Sequence, residues 1–382
     1  MPVPESKPTI AVDTRSLVGP PSGIGVYTLS MLKALAARGT LRWIGLAHRD
    51  LSCAVELGQA GVELEAQAAP FGVWWQQRTL PHRLAASDID LFWSPLLTLP
   101  VRNPVPGVVT IHDLSPLVLP AAHRLKVRLS FLPFLASTVR QARRIVVDSV
   151  ATANDVKRHF PTCSDRVQVV YPGIDPVFAP GNAPDIARTR QELGCPEGYL
   201  LFSGTLEPRK NLTTLLDAWQ ALGNTSSESL PLVITGPYGW KSRSLASRME
   251  KLRPLGLHNL GRLPRERQVQ VMQAASIFVY PSLYEGFGLP PAEAMACGIP
   301  TIVSNRSSLP EVVGDAGVQI DPDDGRQLQQ AIAAIASDPA LSSDLAERGR
   351  QRSQRFTWSQ AAAEIEEIFL EILAADGRLA PR

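Results

Sequence analysis

The sequence predicts an α/β protein made of two doubly wound, Rossmann-like domains. First, a chain of 382 residues is long for one hydrophobic core, since single cores stop growing near ~250–300 residues. Second, short apolar strands alternate with helical patterns in both halves, as is typical of parallel sheets covered by helices. Third, the proline-rich, non-periodic stretch 176–185 separates the two halves. These observations predict domains at 1–178 and 186–356, followed by a helical segment at 357–382.

In the first domain, the glycine-bearing segment 19–25 lies between a strand and an amphipathic helix. The predicted strands are 9–12, 42–47, 90–94, 107–111, 144–148 and 167–171, and the predicted helices include 26–37, 74–86 and 149–159. Gly23 and Gly25 do not match G-x-G-x-x-G, so a dinucleotide fingerprint is poorly supported. A structural turn and a phosphate-facing loop both remain open here.

The second domain repeats the same strand–helix alternation. Its predicted strands are 199–203, 232–235, 259–263, 277–280, 300–304 and 317–321, and its predicted helices are 186–193, 212–222, 266–275, 292–296, 326–336 and 341–355. An amphipathic helix at 360–375 ends the pattern.

Composition excludes several classes of protein. Apolar residues make up 45% and charged residues 19%, which are globular values, and a net charge of +2 gives no sign of bulk nucleic-acid binding. The four cysteines lack CxxC spacing, which favours reduced, buried thiols over a metal or disulfide framework. The N-terminus does not resemble a signal peptide, and no apolar run approaches the ~20 residues of a membrane span. We therefore expect a cytoplasmic protein.

The segment 277–311 combines several ligand-binding features. A buried strand leads into the loop EGFG at 285–288, and prolines at the start and a glycine past the end delimit a short helix. Glycines let backbone amides approach a ligand, and a helix start favours an anion. Glu285 and Glu293 flank this site, and ionised carboxylates suit sugar or ribose hydroxyls. A purely structural interpretation also stays open, in which Glu285 is solvated and Glu293 interacts favourably with the helix dipole.

Two further sets of polar residues follow predicted strands. His112 comes directly after strand 107–111, at the sheet edge where open α/β folds bind ligands. Arg209 and Lys210 follow strand 199–203, and two cations at a strand end suit a diphosphate, although such a pair is often solvated surface.

Three stretches resemble the retaining glycosyltransferases of family 4, whose signature is E-x7-E in a strand–loop–helix setting. They are GTLEPRKN (204–211), EGFGLPPAE (285–293) and SSLPE (307–311). The resemblance extends over essentially the whole chain, and GTLEPRKN is similar to the mannosyltransferase-type branch. It implies the GT-B fold, in which two doubly wound domains face each other across a cleft and the last helix crosses back to the first domain.

The resemblance also implies roles for individual residues. The residues with implied catalytic roles are His112, Glu285, Arg209 and Lys210. The residues implied to bind the donor are Gly23, Gly25, Gly204, Thr205, Gly236, Arg262, Leu263, Gly286, Phe287, Gly288, Leu289 and Glu293. Glu293 would bind the ribose, and Arg262 and Leu263 would border the base. Many members of the family carry an arginine at the position of Thr205. In this chain, the positive charge toward the diphosphate must therefore come from Arg209 or from another residue.

The implied reaction moves a hexosyl group from a nucleoside diphosphate to an acceptor hydroxyl with retention of configuration and without a metal or other cofactor. The branch favours a GDP-sugar, mannose or a related deoxyhexose, and a lipid-linked or oligosaccharide acceptor in bacterial surface polysaccharide synthesis of the O-antigen type. A UDP-sugar donor stays open, as does a non-catalytic protein that binds sugar nucleotides on the same fold. An NAD-dependent oxidoreductase would need G-x-G-x-x-G, which the sequence does not supply.

Two other features have competing interpretations. The stretch 123–144 mixes basic and apolar residues, so it fits either a peripheral contact with the inner face of the membrane or a packed helix with a solvated face. Asp88-Ile89-Asp90 spells DxD, a metal–nucleotide motif in other folds, but its position before an apolar strand favours a helix-to-strand turn. We expect no metal site there.

Overall fold

The computed structural model describes residues 7–21, 23–86, 88–123, 125–195, 197–223 and 230–378, apart from the side chains of residues 125–131. The chain divides into two compact units. The first contains Met1–Gly173 together with Phe356–Arg382, and the second contains Ile174–Arg355. Each unit is built on a parallel sheet with helices, which confirms the predicted fold class.

The first unit contains the sheet that holds the N-terminal strands. Its strands are β1 (Thr9–Asp13), β2 (Arg42–Ala47), β3 (Glu63–Ala66), β4 (Leu91–Ser94), β5 (Gly107–Ile111), β6 (Arg144–Val147) and β7 (Val167–Val169). In the described residues these seven strands are parallel and follow the order β3-β2-β1-β4-β5-β6-β7. The order reverses between β1 and β4, and such switch points open a crevice at the carboxyl ends of the strands.

Helices cover both faces of this sheet. They are α1 (Ile24–Arg38), α2 (Ala54–Gln59), α3 (Gly72–Trp74), α4 (Leu80–Leu84), α5 (Ser115–Val118), α6 (Leu125–Gln141) and α7 (Val150–His159). A π-helical turn, Trp75–Thr79, joins α3 to α4, so the amphipathic helix predicted at 74–86 forms with a bulge in its middle. Ile10 and Val12 pack into one apolar cluster and Ala11 into the other, because successive residues of a strand face opposite sides.

The second unit contains a second parallel sheet. Its strands are β8 (Leu200–Ser203), β9 (Leu232–Thr235), β10 (Leu257–Gly261), β11 (Ile277–Tyr280), β12 (Thr301–Ser304) and β13 (Val318–Ile320). Its helices are α8 (Ala183–Glu192), α9 (Leu212–Gly223), α10 (Arg243–Leu252), α11 (Arg265–Gln273), α12 (Leu289–Ala296), α13 (Leu309–Val313), α14 (Gly325–Ser337) and α15 (Pro339–Ser353). The described strands follow the order β10-β9-β8-β11-β12-β13, so β8 lies beside both β9 and β11.

The last helix, α16 (Trp358–Ala375), belongs to the first unit, where it packs against α1. Glu366 on this helix is buried and accepts hydrogen bonds from the Arg38 Nε, at 2.7 Å, and from the Thr40 hydroxyl. The Phe369 ring lies 6.0 Å from Trp43 and 5.9 Å from Trp93, centroid to centroid. Apolar packing and an ion pair to the buried Glu366 thus hold the end of the chain on the N-terminal sheet.

Some predicted elements differ from the structure. The strand expected at 259–263 forms two residues earlier, as β10, and ends at Gly261, whose φ of +62° is incompatible with an extended strand. In the part of the chain that the structure describes, four helices and one strand were not predicted, namely α2, α5, α10, α13 and β3. Strand β3 (ELEA) lies at the edge of its sheet and is half exposed, so its sequence lacks the apolar run of a buried strand.

All four cysteines are free and buried, as predicted. Within the described residues, none of the helices is both long and apolar enough to cross a bilayer. Within the basic stretch 123–144, residues Leu125–Gln141 form α6 and Arg144 begins β6, but Arg124 and the side chains of Lys126 and Arg128 lie outside the described residues. The DxD sequence forms a turn, as predicted. There Asp88 pairs with Arg83, and Asp90 accepts a hydrogen bond from the Thr9 amide at 2.8 Å.

Candidate functional site

The turn after β8 and the loop after β11 meet in the second unit. Residues Pro208–Lys210 form a 3-10 turn, which ends at Asn211 in the left-handed conformation (φ +55°). The Asn211 side chain donates to the carbonyls of Pro281, at 3.2 Å, and Pro322, at 2.7 Å. Because β8 and β11 are adjacent and parallel, their carboxyl ends lie at the same edge. The sheet therefore brings the predicted Arg-Lys pair and the predicted Glu285 together.

Glu285 is the acceptor at the centre of a cluster of charged side chains. Its Oε1 accepts from the Lys210 Nζ at 2.6 Å and from the Ser282 hydroxyl, and its Oε2 lies 3.3 Å from the Arg209 Nη1. Arg209 also donates from its Nε to Glu207 at 2.9 Å. Both Glu285 carboxylate oxygens are thus engaged with neighbouring side chains.

Burial and charge oppose each other in this cluster. Burial would raise the pKa of Glu285, but Lys210 and Arg209 outweigh burial and hold its pKa below the ordinary value. Burial lowers the pKa of Lys210, and the carboxylate of Glu285 opposes that decrease. Burial also raises the pKa of Glu207, against the effect of Arg209. The pairing keeps Glu285 ionised and holds two cations at the end of β8.

The backbone of the glycine loop is fixed by two serines that follow β12. The Ser308 hydroxyl donates to the carbonyl of Phe287 at 2.6 Å and to that of Glu285 at 3.1 Å, and the Ser307 hydroxyl also donates to Glu285. These two serines begin the stretch SSLPE. The stretch SSLPE therefore supports the backbone of the EGFG loop, a role that the sequence alone did not predict.

Gly288 forms the N-cap of α12 with a φ of +112°, a conformation that favours glycine. A Cβ added there would also lie 2.8 Å from the Leu309 side chain. The next residues of the helix include Pro290 and Pro291, which have no N–H. The amide donors of this helix start are therefore reduced to those of Gly288 and Leu289.

Glu293 lies in α12, is buried and contacts an arginine that the sequence did not single out. Its Oε1 lies 3.1 Å from Arg265 Nη1, while Arg265 Nη2 lies 3.2 Å from Asp175. The Arg265 guanidinium also lies 4.3 Å from the centre of the Phe178 ring. Burial raises the pKa of Glu293 to about 7, and Arg265 opposes that increase. Arg265 lies two residues after the predicted Arg262 and Leu263, but that proximity in sequence does not reveal its pairing with Glu293.

The remaining predicted donor residues of the second unit lie at the ends of β8, β9 and β10. The Gly204 amide donates to Thr235 at 2.9 Å, and the Gly236 amide donates to Gly261 at 2.8 Å. A Cβ on Gly236 would lie 2.0 Å from the Gly204 carbonyl oxygen, so these turns require glycine to pack. Thr205 continues from Gly204, while Arg262 and Leu263 follow the end of β10 and are exposed and half-buried, respectively.

His112, in the first unit, follows β5 and is paired with the end of β6. Its Nδ1 lies 2.6 Å from Asp148 Oδ2, and its Nε2 lies 2.9 Å from the Pro95 carbonyl oxygen. Burial acts to lower the pKa of His112, but Asp148 and the Pro95 carbonyl outweigh burial and raise it. Since both ring nitrogens face acceptors, this geometry favours the doubly protonated, positively charged ring.

The two glycines of the first loop have distinct structural roles. Gly23 precedes α1 with a φ of +48°, and a Cβ on Gly25 would lie 2.7 Å from the Ser16 carbonyl oxygen. Close packing thus accounts for Gly25, as the structural interpretation of this segment expects. Ser22, between them, lies outside the described residues.

Comparison with known proteins bears on both units. The family model described as "Glycosyltransferase Family 4" matches residues 21–178, and the model described as "Glycosyl transferases group 1" matches residues 185–352. Among curated proteins, O-antigen chain mannosyltransferase B of Escherichia coli is 30% identical over 92% of this chain and 96% of its own length. The serotype-specific mannosyltransferase WbdA of the same species is 28% identical over 72% of this chain, which spans only 35% of WbdA.

Solved structures share the fold at lower sequence identity. Anabaena Alr3699/HepE, in complex with UDP-glucose, has a TM-score of 0.76 and 20% identity over 95% of this chain and 99% of its own. WaaG, a glycosyltransferase involved in lipopolysaccharide biosynthesis, has a TM-score of 0.72 and 19% identity over 94% and 99%. Together with the two family models and the mannosyltransferase relative, this likeness shows that the chain belongs to glycosyltransferase family 4 and has the two Rossmann-like domains of the GT-B fold.

Proposed function

We propose that this glycosyltransferase moves a hexosyl group, mannose or a related deoxyhexose, from a GDP-sugar to a hydroxyl of a lipid-linked or oligosaccharide acceptor in bacterial surface polysaccharide. The name of the relative at 30% identity, an O-antigen chain mannosyltransferase, supports the sugar and the type of product. The observation that carries the proposal is the pair formed by the part-buried Arg209 and the buried Lys210, which Glu285 holds at the carboxyl edge of the second sheet.

The leaving group is a nucleoside diphosphate, so the main electrostatic task is to stabilise the negative charge that develops on it. Arg209 and Lys210 supply fixed positive charge, and the amides of Gly288 and Leu289 at the start of α12 supply further donors. Since Glu285 orients both cations, they need little reorganisation when charge develops. This geometry supports Arg209 as the substitute for the family arginine that is Thr205 in this chain.

In the reaction that we propose, the acceptor hydroxyl attacks the anomeric carbon on the face that the diphosphate leaves. The bond from the anomeric carbon to the phosphate oxygen breaks, and the bond to the acceptor oxygen forms. The departing phosphate oxygen takes the hydroxyl proton, so no protein nucleophile and no metal is needed. The configuration at the anomeric carbon is retained.

The other donor contacts follow from the same proposal. Glu293 accepts hydrogen bonds from the ribose hydroxyls, and Arg262 and Leu263 border the base. The remaining contacts belong to glycines and a threonine at strand ends and to the loop beside the sugar, namely Gly204, Thr205, Gly236, Gly286, Phe287, Gly23 and Gly25. His112, with both ring nitrogens occupied, contributes its positive charge near the donor sugar rather than a proton.

A UDP-sugar is the second candidate donor. Solved structures of HepE, at 20% identity, contain UDP and UDP-glucose. The nucleoside diphosphates GDP and UDP differ only in the base, and the residues that we assign to the base, Arg262 and Leu263, lie in a loop that follows β10.

A transfer assay tests the proposal. GDP-mannose, GDP-fucose, UDP-glucose and UDP-galactose are each incubated with the chain and a lipid-linked glycan acceptor, with and without EDTA, and the new linkage is analysed by NMR. We expect transfer from a GDP-sugar with retention and without an effect of EDTA. Lys210→Ala should lower the rate by at least ~100-fold, while the exposed Lys33→Ala serves as the matched control. Loss of activity in EDTA, an inverted product or a fully active Lys210→Ala variant would each contradict the proposal.

A further inference from the structure

Glu207 is a buried carboxylate beside the two cations to which we assign the leaving diphosphate. It is 4% exposed, and its Oε1 accepts from the Arg209 Nε at 2.9 Å. The Arg209 Nη1 lies 3.3 Å from the Glu285 Oε2 and donates to the Tyr284 carbonyl at 3.1 Å. Contacts at two nitrogens fix the plane of a guanidinium, which a contact at one nitrogen would leave free to rotate.

The backbone that carries Glu207 is held by the loop after β9. The Leu206 amide donates to the Pro237 carbonyl at 2.9 Å, and the Gly239 amide donates to the Leu206 carbonyl at 3.0 Å. A Cβ added to Gly239 would lie 3.1 Å from the Glu207 Cβ, so the two loops are closely packed here. A shorter side chain at position 207 would therefore withdraw the accepting oxygen from Arg209.

Stability alone is a weak account of this carboxylate. An acid buried against an arginine gains little free energy overall, because the desolvation of both charges offsets their attraction. Burial also raises the pKa of Glu207 above its ordinary value, against the charges of Arg209 and Lys210. The surroundings of Glu207 thus oppose its charge, while its oxygen lies within hydrogen-bond distance of one particular nitrogen. What this arrangement supplies is the position of an acceptor.

We propose that Glu207 is a positioning residue, which acts on the transfer reaction through Arg209. It holds the guanidinium in the orientation that meets the charge developing on the leaving diphosphate. A misplaced guanidinium would then destabilise the transition state more than the bound donor. This role rests on the proposed function, because the diphosphate is assigned to Arg209 and Lys210 there.

Two conservative variants separate the position of the acceptor from its charge. Glu207→Asp keeps the charge but withdraws the carboxylate by one methylene, whereas Glu207→Gln keeps an accepting oxygen at the same reach and loses the charge. For transfer from GDP-mannose, we expect kcat to fall at least ~10-fold in Glu207→Asp, with the donor KM within ~3-fold of the wild type. Glu207→Gln should keep most of the wild-type kcat. A fully active Glu207→Asp would overturn the proposal.

A double-mutant cycle shows whether Glu207 acts through Arg209. Arg209→Ala should lower kcat, and Glu207→Asp should lower it no further in that background, so additive losses would overturn the proposal. The NMR resonance of the Arg209 Nε–H, assigned by its absence from Arg209→Lys, gives a readout that needs no transfer. Its exchange with water should be slow in the wild type and in Glu207→Gln, and faster in Glu207→Asp. An equal exchange rate in Glu207→Asp would contradict the proposed hold on the guanidinium.

The matched control is Glu366→Asp, at a buried carboxylate that accepts from the Arg38 Nε at 2.7 Å in the first unit. It shortens a similar contact, so it should lose similar stability in urea denaturation and keep the wild-type kcat per folded molecule. An equal loss of kcat in the two aspartate variants would assign the effect at Glu207 to the fold alone and overturn the proposal. A wild-type chain that transfers no sugar from any donor would instead contradict the proposed function.

Discussion

The Lys210 ammonium lies 2.6 Å from the Glu285 carboxylate, so a buried salt bridge joins the turn after β8 to the loop after β11. Lys210 also donates to the Tyr280 hydroxyl at 2.6 Å, and Arg209 lies 3.3 Å from the other carboxylate oxygen. GTLEPRKN and EGFGLPPAE are separated along the chain but form one structural unit. The pairing suggests that Glu285 acts on the donor through the cations that it orients.

Lys210→Met should destabilise the chain strongly, because it leaves the Glu285 charge buried beside Arg209 alone. We expect a loss of ~3–5 kcal/mol in the free energy of unfolding, measured by urea denaturation. Lys33→Met breaks the exposed pair with Glu56 and should cost less than ~1 kcal/mol. The double variant Lys210→Met/Glu285→Gln should recover part of the loss. Equal losses of unfolding free energy in Lys210→Met and Lys33→Met would show that the buried pair stabilises the fold no more than the exposed pair does.

The sequence was sufficient to predict most of the fold, because its signals were strong and local. Buried parallel strands are continuous apolar runs, so β2, β5, β9 and β11 match their predicted bounds. Ser149 caps α7 as predicted, accepting from the Thr152 amide at 3.0 Å. Strand β3 was missed because an edge strand with half-exposed residues carries no such run.

The candidate site was predicted less completely, because its pairings are tertiary. That Arg209, Lys210 and Glu285 gather at one edge follows from parallel strands, which the pattern predicts. The pairing of Glu293 with Arg265 depends on how α11 lies against α12, and the pairing of His112 with Asp148 depends on the order of β5 and β6. The spacing of these residues along the chain predicts neither pairing.

Glu293 should make stability depend on pH. Burial raises its pKa from an ordinary 4.5 to about 7, so between these values the folded chain keeps a proton that the unfolded chain has lost. The free energy of unfolding should therefore fall as the pH rises from about 4.5 to about 7, and level off above that. Urea denaturation across this range should show a smaller decrease in Glu293→Gln than in the wild type. If the free energy of unfolding depends on pH equally in the two proteins, the raised pKa of Glu293 is contradicted.

Arg265 should set the pH dependence of donor binding. Only the ionised Glu293 is a pure acceptor for ribose hydroxyls, so GDP affinity should rise with pH through about 7. Arg265→Gln removes the charge that opposes burial, and the midpoint should move to higher pH in titrations of GDP followed by calorimetry. Arg253→Gln breaks an exposed pair with Glu250 and should leave the midpoint unchanged. A wild-type midpoint in Arg265→Gln would exclude this role.

His112 should titrate above its ordinary pKa because Asp148 and the Pro95 carbonyl outweigh the effect of burial. Its contribution to stability should be complete below about 6.5 and decline as the pH rises through the raised pKa of the folded state. NMR of the imidazole resonances should show the raised pKa, and Asp148→Asn should lower it. Asp165→Asn, at an exposed acid, should not change it. An unshifted His112 in the wild type would refute the charged ring.

Gly236→Ala should disrupt the edge of the second sheet to which we assign the donor. Gly236 has a φ of +131°, and an added Cβ would lie 2.0 Å from the Gly204 carbonyl oxygen, which is backbone and cannot rotate away. The turns after β8 and β9 must separate, so we expect a loss of more than ~2 kcal/mol in thermal or urea unfolding. Gly58→Ala, in α2, meets no atom within 4 Å and should be neutral or stabilise by up to ~1 kcal/mol. A Gly236→Ala variant as stable as Gly58→Ala would show that these turns tolerate separation and that their close packing does not fix the donor site.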